Sequence, residues 1–420
     1  MKIFKAIVPM AVVLALFDAA PVLAQAQTPS GAEIERPLSV TASTFAGYDT
    51  DITSRRSRPS VPGSNVDSGA ASVGASLNLS YAGGSPKVSY YTAGSTEYRY
   101  YRATEAVLTP LASGSVGIGA AMGRRARFNA SVRSTYYPRF QLSLLPPTTD
   151  IPVDEPHPTQ DFGISSYDVV SYQGTAGISY QLTTRSSLAF NYGQGQFRYL
   201  GQDYELNTQS VSGRYSQRLT RYATLQLGYG QMEGDYSRGL NPTETTVRRR
   251  TIDAGIDYSR PLSLSRRTRV GFTTGSTALD NGTRTFYTLT GSANLNHQLS
   301  RTWNLGVAYS RRVGLIGGFA EPIFSDATSA SVGGAVGGGA FASLSAGYTN
   351  GKVGLASRGR NYNSVQSSAN ITVPITRRLA AFGTYFYYRH MFEESVSLPI
   401  GLVPRVDRQG VRAGLSLKIY

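Results

Sequence analysis

From residue 170 to residue 182 the even positions Val170, Tyr172, Ala176, Ile178, Tyr180 and Leu182 are apolar, with Gly174 between them. The odd positions Ser171, Gln173, Thr175, Gly177, Ser179 and Gln181 are small or polar. A period of two predicts a strand with one apolar and one polar face. The run is about twice the usual globular strand, near what a tilted strand needs to cross a bilayer. The same alternation returns in Val73, Ala75, Leu77, Leu79 and Tyr81, in Leu225, Leu227 and Tyr229, in Trp303, Leu305, Val307 and Tyr309, and in Ile371 and Val373.

Short turns punctuate these runs, and several share a phrase: Leu182-Thr183-Thr184-Arg185, Leu219-Thr220-Arg221, Leu299-Ser300-Arg301 and Ile375-Thr376-Arg377. Between consecutive short turns lie longer connections. The largest, residues 139–163, is rich in Pro and acids, among them Asp150, Asp154, Glu155 and Asp161. Counted this way, residues 38–420 hold eighteen strands, sixteen being the alternative count. Short turns at one end and long loops at the other predict an all-β, transmembrane, antiparallel up-and-down β-barrel, its turns periplasmic and its loops extracellular. Closure also removes the strand edges that lipid cannot solvate.

The rival architecture is a secreted β-sandwich or propeller, which places charge freely on its outer face. Here the charges sort. With the apolar parity facing lipid, Arg99, Arg127, Arg133, Arg214, Arg218, Arg249, Arg269, Arg312, Arg389 and Arg412 are assigned to the lumen. Few acids share that parity, chiefly Glu97, Asp253 and Asp257. A lipid-facing Arg near the midplane costs roughly 2–4 kcal/mol, which gives the sorting its cause. Tyr81, Tyr180, Tyr258, Tyr309 and Trp303 end strands on the apolar parity, where an aromatic girdle belongs.

Residues 1–24 read as a signal peptide: Lys2 and Lys5 precede a short apolar run, and Val22-Leu23-Ala24 is a small-residue cleavage site. Residues 25–37 form a short periplasmic segment too small for a plug domain. The 420-residue chain carries 41 Lys plus Arg against 26 Asp plus Glu, a formal +15, and no Cys. A thiolate metal site, a Cys nucleophile and a disulfide scaffold are thereby excluded. His157, His297 and His390 are scattered, and only His390 has acid neighbours, Glu393 and Glu394, so neither catalysis nor a cofactor is expected. Gly333 to Gly339 is glycine-rich but lacks a phosphate-loop Lys. A secreted barrel without a recognition helix is not expected to bind nucleic acid.

These patterns resemble bacterial outer-membrane β-barrel proteins of the porin type over residues 38–420. Such proteins end in an aromatic residue read by the barrel-assembly machinery. Tyr420 supplies it, although Leu415, Leu417 and Ile419 lie one step out of phase. Eighteen strands, lumen Arg and the lumen-parity Tyr91, Tyr101, Tyr137 and Tyr199 further resemble exopolysaccharide-export porins of the alginate-export type. That resemblance implies weak, repeated binding of acidic groups by Arg and stacking of Tyr on sugar rings. Its implied partners are periplasmic polysaccharide-export components, with lipopolysaccharide phosphates meeting Arg55, Arg56 and Arg58 on the first loop. The 139–163 loop is the candidate constriction, folding inward to pair its acids with wall Arg. The alternative function is a plugged structural or adhesive barrel whose loops bind partners, with residues 313–319 and 397–404 as contact surfaces.

Overall fold

The computed structural model describes residues 38–50, 69–102, 107–139, 164–200, 204–238, 245–258, 260–261, 267–280, 285–314, 321–354, 361–396, 398 and 404–419. The expected leader, the 139–163 constriction loop, Arg55, Arg56, Arg58, the side chain of Tyr137 and Tyr420 lie outside the described residues.

Eighteen long strands follow one another: β1 (Leu38–Asp49), β2 (Ala70–Gly84), β3 (Val88–Arg102), β4 (Val107–Met122), β5 (Ala126–Arg139), β6 (Ile164–Gln181), β7 (Ser186–Tyr199), β8 (Tyr204–Arg218), β9 (Ala223–Arg238), β10 (Thr245–Tyr258), β11 (Thr268–Asp280), β12 (Thr285–Gln298), β13 (Trp303–Gly314), β14 (Ile323–Gly337), β15 (Ala340–Val353), β16 (Asn361–Pro374), β17 (Leu379–Phe392) and β18 (Arg405–Lys418). A two-residue piece, Arg260–Pro261, continues β10 past a break. Every strand is antiparallel to the next, and β18 returns to β1 from Thr41↔Lys418 to Asp49↔Gly410. The result is a closed, up-and-down, all-β barrel of eighteen strands.

The repeated turn phrase has a structural cause. In four turns the hydroxyl of Thr183, Thr220, Ser300 or Thr376 accepts two backbone N–H groups, such as Arg185 N at 3.1 Å and Ser186 N at 3.0 Å. The preceding Leu182, Leu219, Leu299 or Ile375 closes the same turn with a backbone bond of 2.8–3.0 Å and turns its side chain outward. A hydroxyl that satisfies turn amides is what Ser and Thr offer at such positions. The β14–β15 turn is built instead on Gly337, Gly338 and Gly339, whose φ angles of 106°, 57° and 81° suit only glycine.

Seven of the eight connections at this end span two to four residues, and the nine-residue exception, 259–267, joins β10 to β11. At the opposite end connections run from four to 24 residues, so some loops there are as tight as the turns. Two seams are irregular. The β12–β13 ladder runs only from Gln298↔Asn304 to Gly291↔Arg311, leaving Thr285 to Thr290 with no partner on β13. The β10–β11 ladder breaks after Asp253↔Gly275 and resumes at Arg260↔Val270.

Candidate functional site in the barrel lumen

Period two sends one side-chain set outward. Val73, Leu77, Phe190, Val211, Leu227, Ile252, Phe272, Leu344, Ile371, Val411 and Leu415 are exposed on that face, Tyr180 and Tyr309 among the aromatics. The other parity converges on the interior, where residues of β1, β2, β3, β15, β16, β17 and β18 line one cavity.

Across the closure seam the interior wall carries an alternating ladder of Arg and Phe. Arg99 of β3 stands 5.5 Å from the ring of Phe45 on β1, and Arg412 of β18 stands 5.8 Å from the same ring. Arg412 also lies 4.9 Å from Phe386 of β17, whose ring in turn meets Arg408 at 5.4 Å. Arg408 then donates to Asp49 of β1 at 2.9 Å. Arg99, Arg408 and Arg412 are 1%, 0% and 4% exposed, so all three guanidiniums are packed into the wall. Arg99 further pairs with Glu97 and donates to the Tyr101 hydroxyl at 3.1 Å. Desolvated cations facing aromatic faces gain about 2 kcal/mol or more each. Glycine makes room for the rings: a Cβ at Gly74 would collide with Phe45, and one at Gly410 with Phe386 and the Asp49 carboxylate.

Below this ladder, toward the short turns, lies a cavity of about 600 Å³. Its wall mixes hydroxyls and amides (Thr41, Ser43, Asn78, Asn370 and Thr372) with Phe341 and Phe382. Arg412 and Glu97 border it within the barrel, and Arg377, Arg378 and Lys418 stand at its mouth. Small-molecule sites have this size and this blend of apolar walls with a few polar groups.

The opposite end of the lumen is apolar. One contiguous buried cluster joins Val169, Tyr199, Leu206, Tyr236 and Val247 of β6–β10 to Ile323, Val353, Tyr362 and Phe392 of β14–β17. Among the described residues neither β11–β13 nor the β18–β5 arc contributes to it, so the contacts cross the lumen. Val396, in the loop after β17, belongs to the cluster, and Leu398 packs against it. That loop is anchored by Glu393, whose carboxylate accepts Asn361 N at 3.1 Å and Asn361 Nδ2 at 2.8 Å. Those bonds hold the Glu393 carboxyl below its ordinary range. His390 is fully buried beside the cluster, its Nδ1 3.0 Å from the Tyr388 hydroxyl and its ring edge-on to Phe392.

The predicted residues therefore separate into groups. Arg127, Arg133, Arg214, Arg218 and Arg269 are exposed on the inward parity, and Arg218 donates to the Thr184 carbonyl at 3.0 Å. Arg312 is half-buried there, and Arg249 reaches across from β10 to donate to the Val313 carbonyl of β13 at 2.5 Å. Arg99 and Arg412 are inward but locked in the ladder, which also contains Arg408, absent from the sequence-based set. Arg389 is corrected: it shares the outward parity of Tyr385 and pairs with Val365, because β17 keeps its inward face for Thr384, Phe386, Tyr388 and His390. Tyr91 is half-buried on the inward face, Tyr101 is in the ladder's Arg99 contact, and Tyr199 is in the apolar cluster. Of the two supposed contact loops, Val396 and Leu398 pack with the cluster and Val313 is buried at the end of β13, while residues 315–319, 397 and 399–403 lie outside the described residues. The apolar closure was missed because each of its residues reads singly as a strand end. Its one sequence signal is apolar character on both parities there, as in Val169-Val170 and Tyr199-Leu200.

No family model matches the chain, and no curated protein matches it in sequence. Solved structures do match. The FrpB iron transporter from Neisseria meningitidis is 9% identical with a TM-score of 0.47, covering 92% of this chain and 81% of its own. OccK2 (OpdF) from Pseudomonas aeruginosa, in complex with glucuronate, is 13% identical with a TM-score of 0.45, covering 91% of this chain and 98% of its own. The siderophore receptor PirA from Acinetobacter baumannii is 9% identical with a TM-score of 0.45, covering 92% and 81%.

Proposed function

We propose that the protein is an outer-membrane pore for anionic or polar solutes, its interior basic and its apolar outward face in lipid. The observation that carries this reading is the cavity of about 600 Å³, lined by hydroxyl, amide and Phe side chains, bordered by Arg412 and flanked by Arg377, Arg378 and Lys418. Lumen cations raise the local anion concentration and set selectivity, and exposed Arg127, Arg133 and Arg269 extend that field along the wall. The finer version is export of an acidic exopolysaccharide, for which hydroxyl, amide and Phe surfaces beside Arg are suitable weak contacts. On the outward face, the loop-end pairs Arg248–Glu233 and Arg311–Asp326 are suited to lipopolysaccharide headgroups.

The apolar cluster at the loop end favours a second reading, a closed structural barrel. Conductance separates the two. The refolded barrel in a planar bilayer under a salt gradient is expected to pass anions preferentially, and Val396→Asp with Leu398→Asp to raise its open probability. A folded barrel that stays silent with both substitutions would sink the pore reading and leave the structural one. Block by an acidic oligosaccharide, without block by a neutral one of equal length, is the result expected for export.

A further inference from the structure

Charge is distributed unequally along the barrel axis. Beyond residue 38 every Asp and Glu falls in a loop-end connection or in the loop-end half of a strand, Asp253 and Asp257 excepted. The eight short connections contain no acid at all. All but the Gly338-Gly339 turn carry Lys or Arg, from Lys87 and Arg125 through Arg185, Arg221 and Arg301 to Arg377, each exposed. The recurring turn explains the regularity: its first residue is apolar and outward, its second supplies the hydroxyl, and a cation follows within two positions. One end of the barrel is thus rimmed by exposed cations in excess of acids, Asp253 and Asp257 of β10 being the acids on the strands of that half.

We propose that this rim is a vestibule that captures a polyanion, a chain bearing repeated carboxylate or phosphate groups, and delivers it to the adjoining cavity. The inference rests on the pore reading and adds the side from which the solute enters. Two observations favour a lumen solute over lipid headgroups. Arg377, Arg378 and Lys418 belong to the rim and also line the cavity mouth. In the repeated turns the outward position is taken by Leu182, Leu219, Leu299 and Ile375, leaving the membrane side apolar. Cations on separate turns, spread around a ring, engage a multivalent chain better than one small ion, because each added contact is intramolecular.

The test is sided block of the oriented barrel in a planar bilayer by polygalacturonate and, separately, by polyphosphate, with neutral dextran as control. Both polyanions are expected to block from the short-turn side at a concentration at least tenfold lower than from the loop side. Focused fields of one sign raise local ligand concentration by about that much or more. At 1 M salt, where the Debye length is about 3 Å, the asymmetry should vanish. It should also vanish when Arg124, Arg125, Arg185, Arg221 and Arg301, none of which lines the cavity, are all replaced by Gln. Block by only one of the two polymers selects carboxylate or phosphate as the recognised group. Equal block from both sides, or asymmetry that survives the five substitutions, overturns the proposal. So does a variant that loses flotation with phosphatidylglycerol vesicles while its sided block is unchanged, which assigns the ring to lipid. Were the barrel to carry no current, the pore reading would fail alone. Fluorescent polygalacturonate should still bind the micellar wild type at least tenfold more tightly than the variant, and equal binding would overturn the vestibule.

Discussion

The Asp49–Arg408 pair joins the first strand to the last, and its loss should loosen the barrel at its closure. The two side chains are 2% and 0% exposed, with Arg408 Nη2 2.9 Å from Asp49 Oδ2. Removing one partner of a buried pair typically costs about 3–5 kcal/mol, because the remaining buried charge loses part of its compensation. Two features place Asp49→Ala at the low end. Arg408 keeps its contact with the Phe386 ring at 5.4 Å, and Asp49 Oδ1 makes no hydrogen bond even in the intact pair. We expect about 3 kcal/mol for Asp49→Ala. Asp49→Asn should cost less, since its carbonyl can still accept from Arg408. The double replacement Asp49→Leu with Arg408→Met should recover most of the loss, as apolar isosteres of buried pairs often do. Urea unfolding in lipid vesicles, followed by fluorescence of the single Trp303, measures all three. A change under about 0.5 kcal/mol for Asp49→Ala, or a double variant no better than the single, would refute the account of this pair as a buried staple.

Three further outcomes follow from the same geometry. Gly410→Ala should destabilise the barrel by about 1–3 kcal/mol in that unfolding assay, since its Cβ must displace Phe386 or the Asp49 carboxylate; Gly230→Ala, whose Cβ finds ordinary contacts, should be near neutral. The Glu393–Asn361 clasp stabilises the charged carboxylate, so its contribution is present above the ordinary carboxylate pKa and is lost as pH falls through the lowered folded value. Acidification should therefore free Val396 and raise channel open probability, and Glu393→Gln should remove that pH response; an unchanged response in the variant would contradict the clasp. Backbone amide exchange along β12 should be faster at alternate positions of Thr285–Thr290 than at Gly291–Gln298, because only the latter segment meets β13; uniform protection would show that the seam closes in lipid.

The barrel was legible because its two facing environments impose one periodicity, and from Val170 to Gln181 β6 displays it with Gly174 alone breaking the apolar set. The strand count came from that alternation together with the turns, four of which, at Thr183, Thr220, Ser300 and Thr376, repeat one chemistry. The lumen was harder to read. Parity assigns a side chain to the interior but says nothing of its neighbour three strands away. Arg99 and Arg412 lie on the inward parity, yet their meeting at Phe45 depends on the β1–β2, β2–β3 and β18–β1 registers. Arg408 was passed over beside Asp407 in a segment without clear alternation. Arg389 was misassigned because Tyr387, Tyr388 and His390 around it leave neither parity distinctly apolar.

The two ends of the lumen oppose each other in a way that constrains transport. The short-turn end is cationic and adjoins the cavity, whereas the loop end holds a buried apolar cluster with side chains from both sides of the barrel. A polar anion entering by the short turns meets attraction first and an apolar barrier last. Entry from the loops reverses that order, with the desolvating step first and the acids of that end adding repulsion. Because a passive pore cannot change the overall free-energy difference between compartments, this asymmetry sets no net direction by itself. It sets where solute accumulates: in the cavity, ahead of the barrier. On the pore reading, opening is expected to come from displacing Val396 and Leu398, which among the described residues are the members of the closure carried by a loop rather than by a strand. The strand-borne members are fixed by ladders on both sides, so the loop after β17 is the element whose movement costs least.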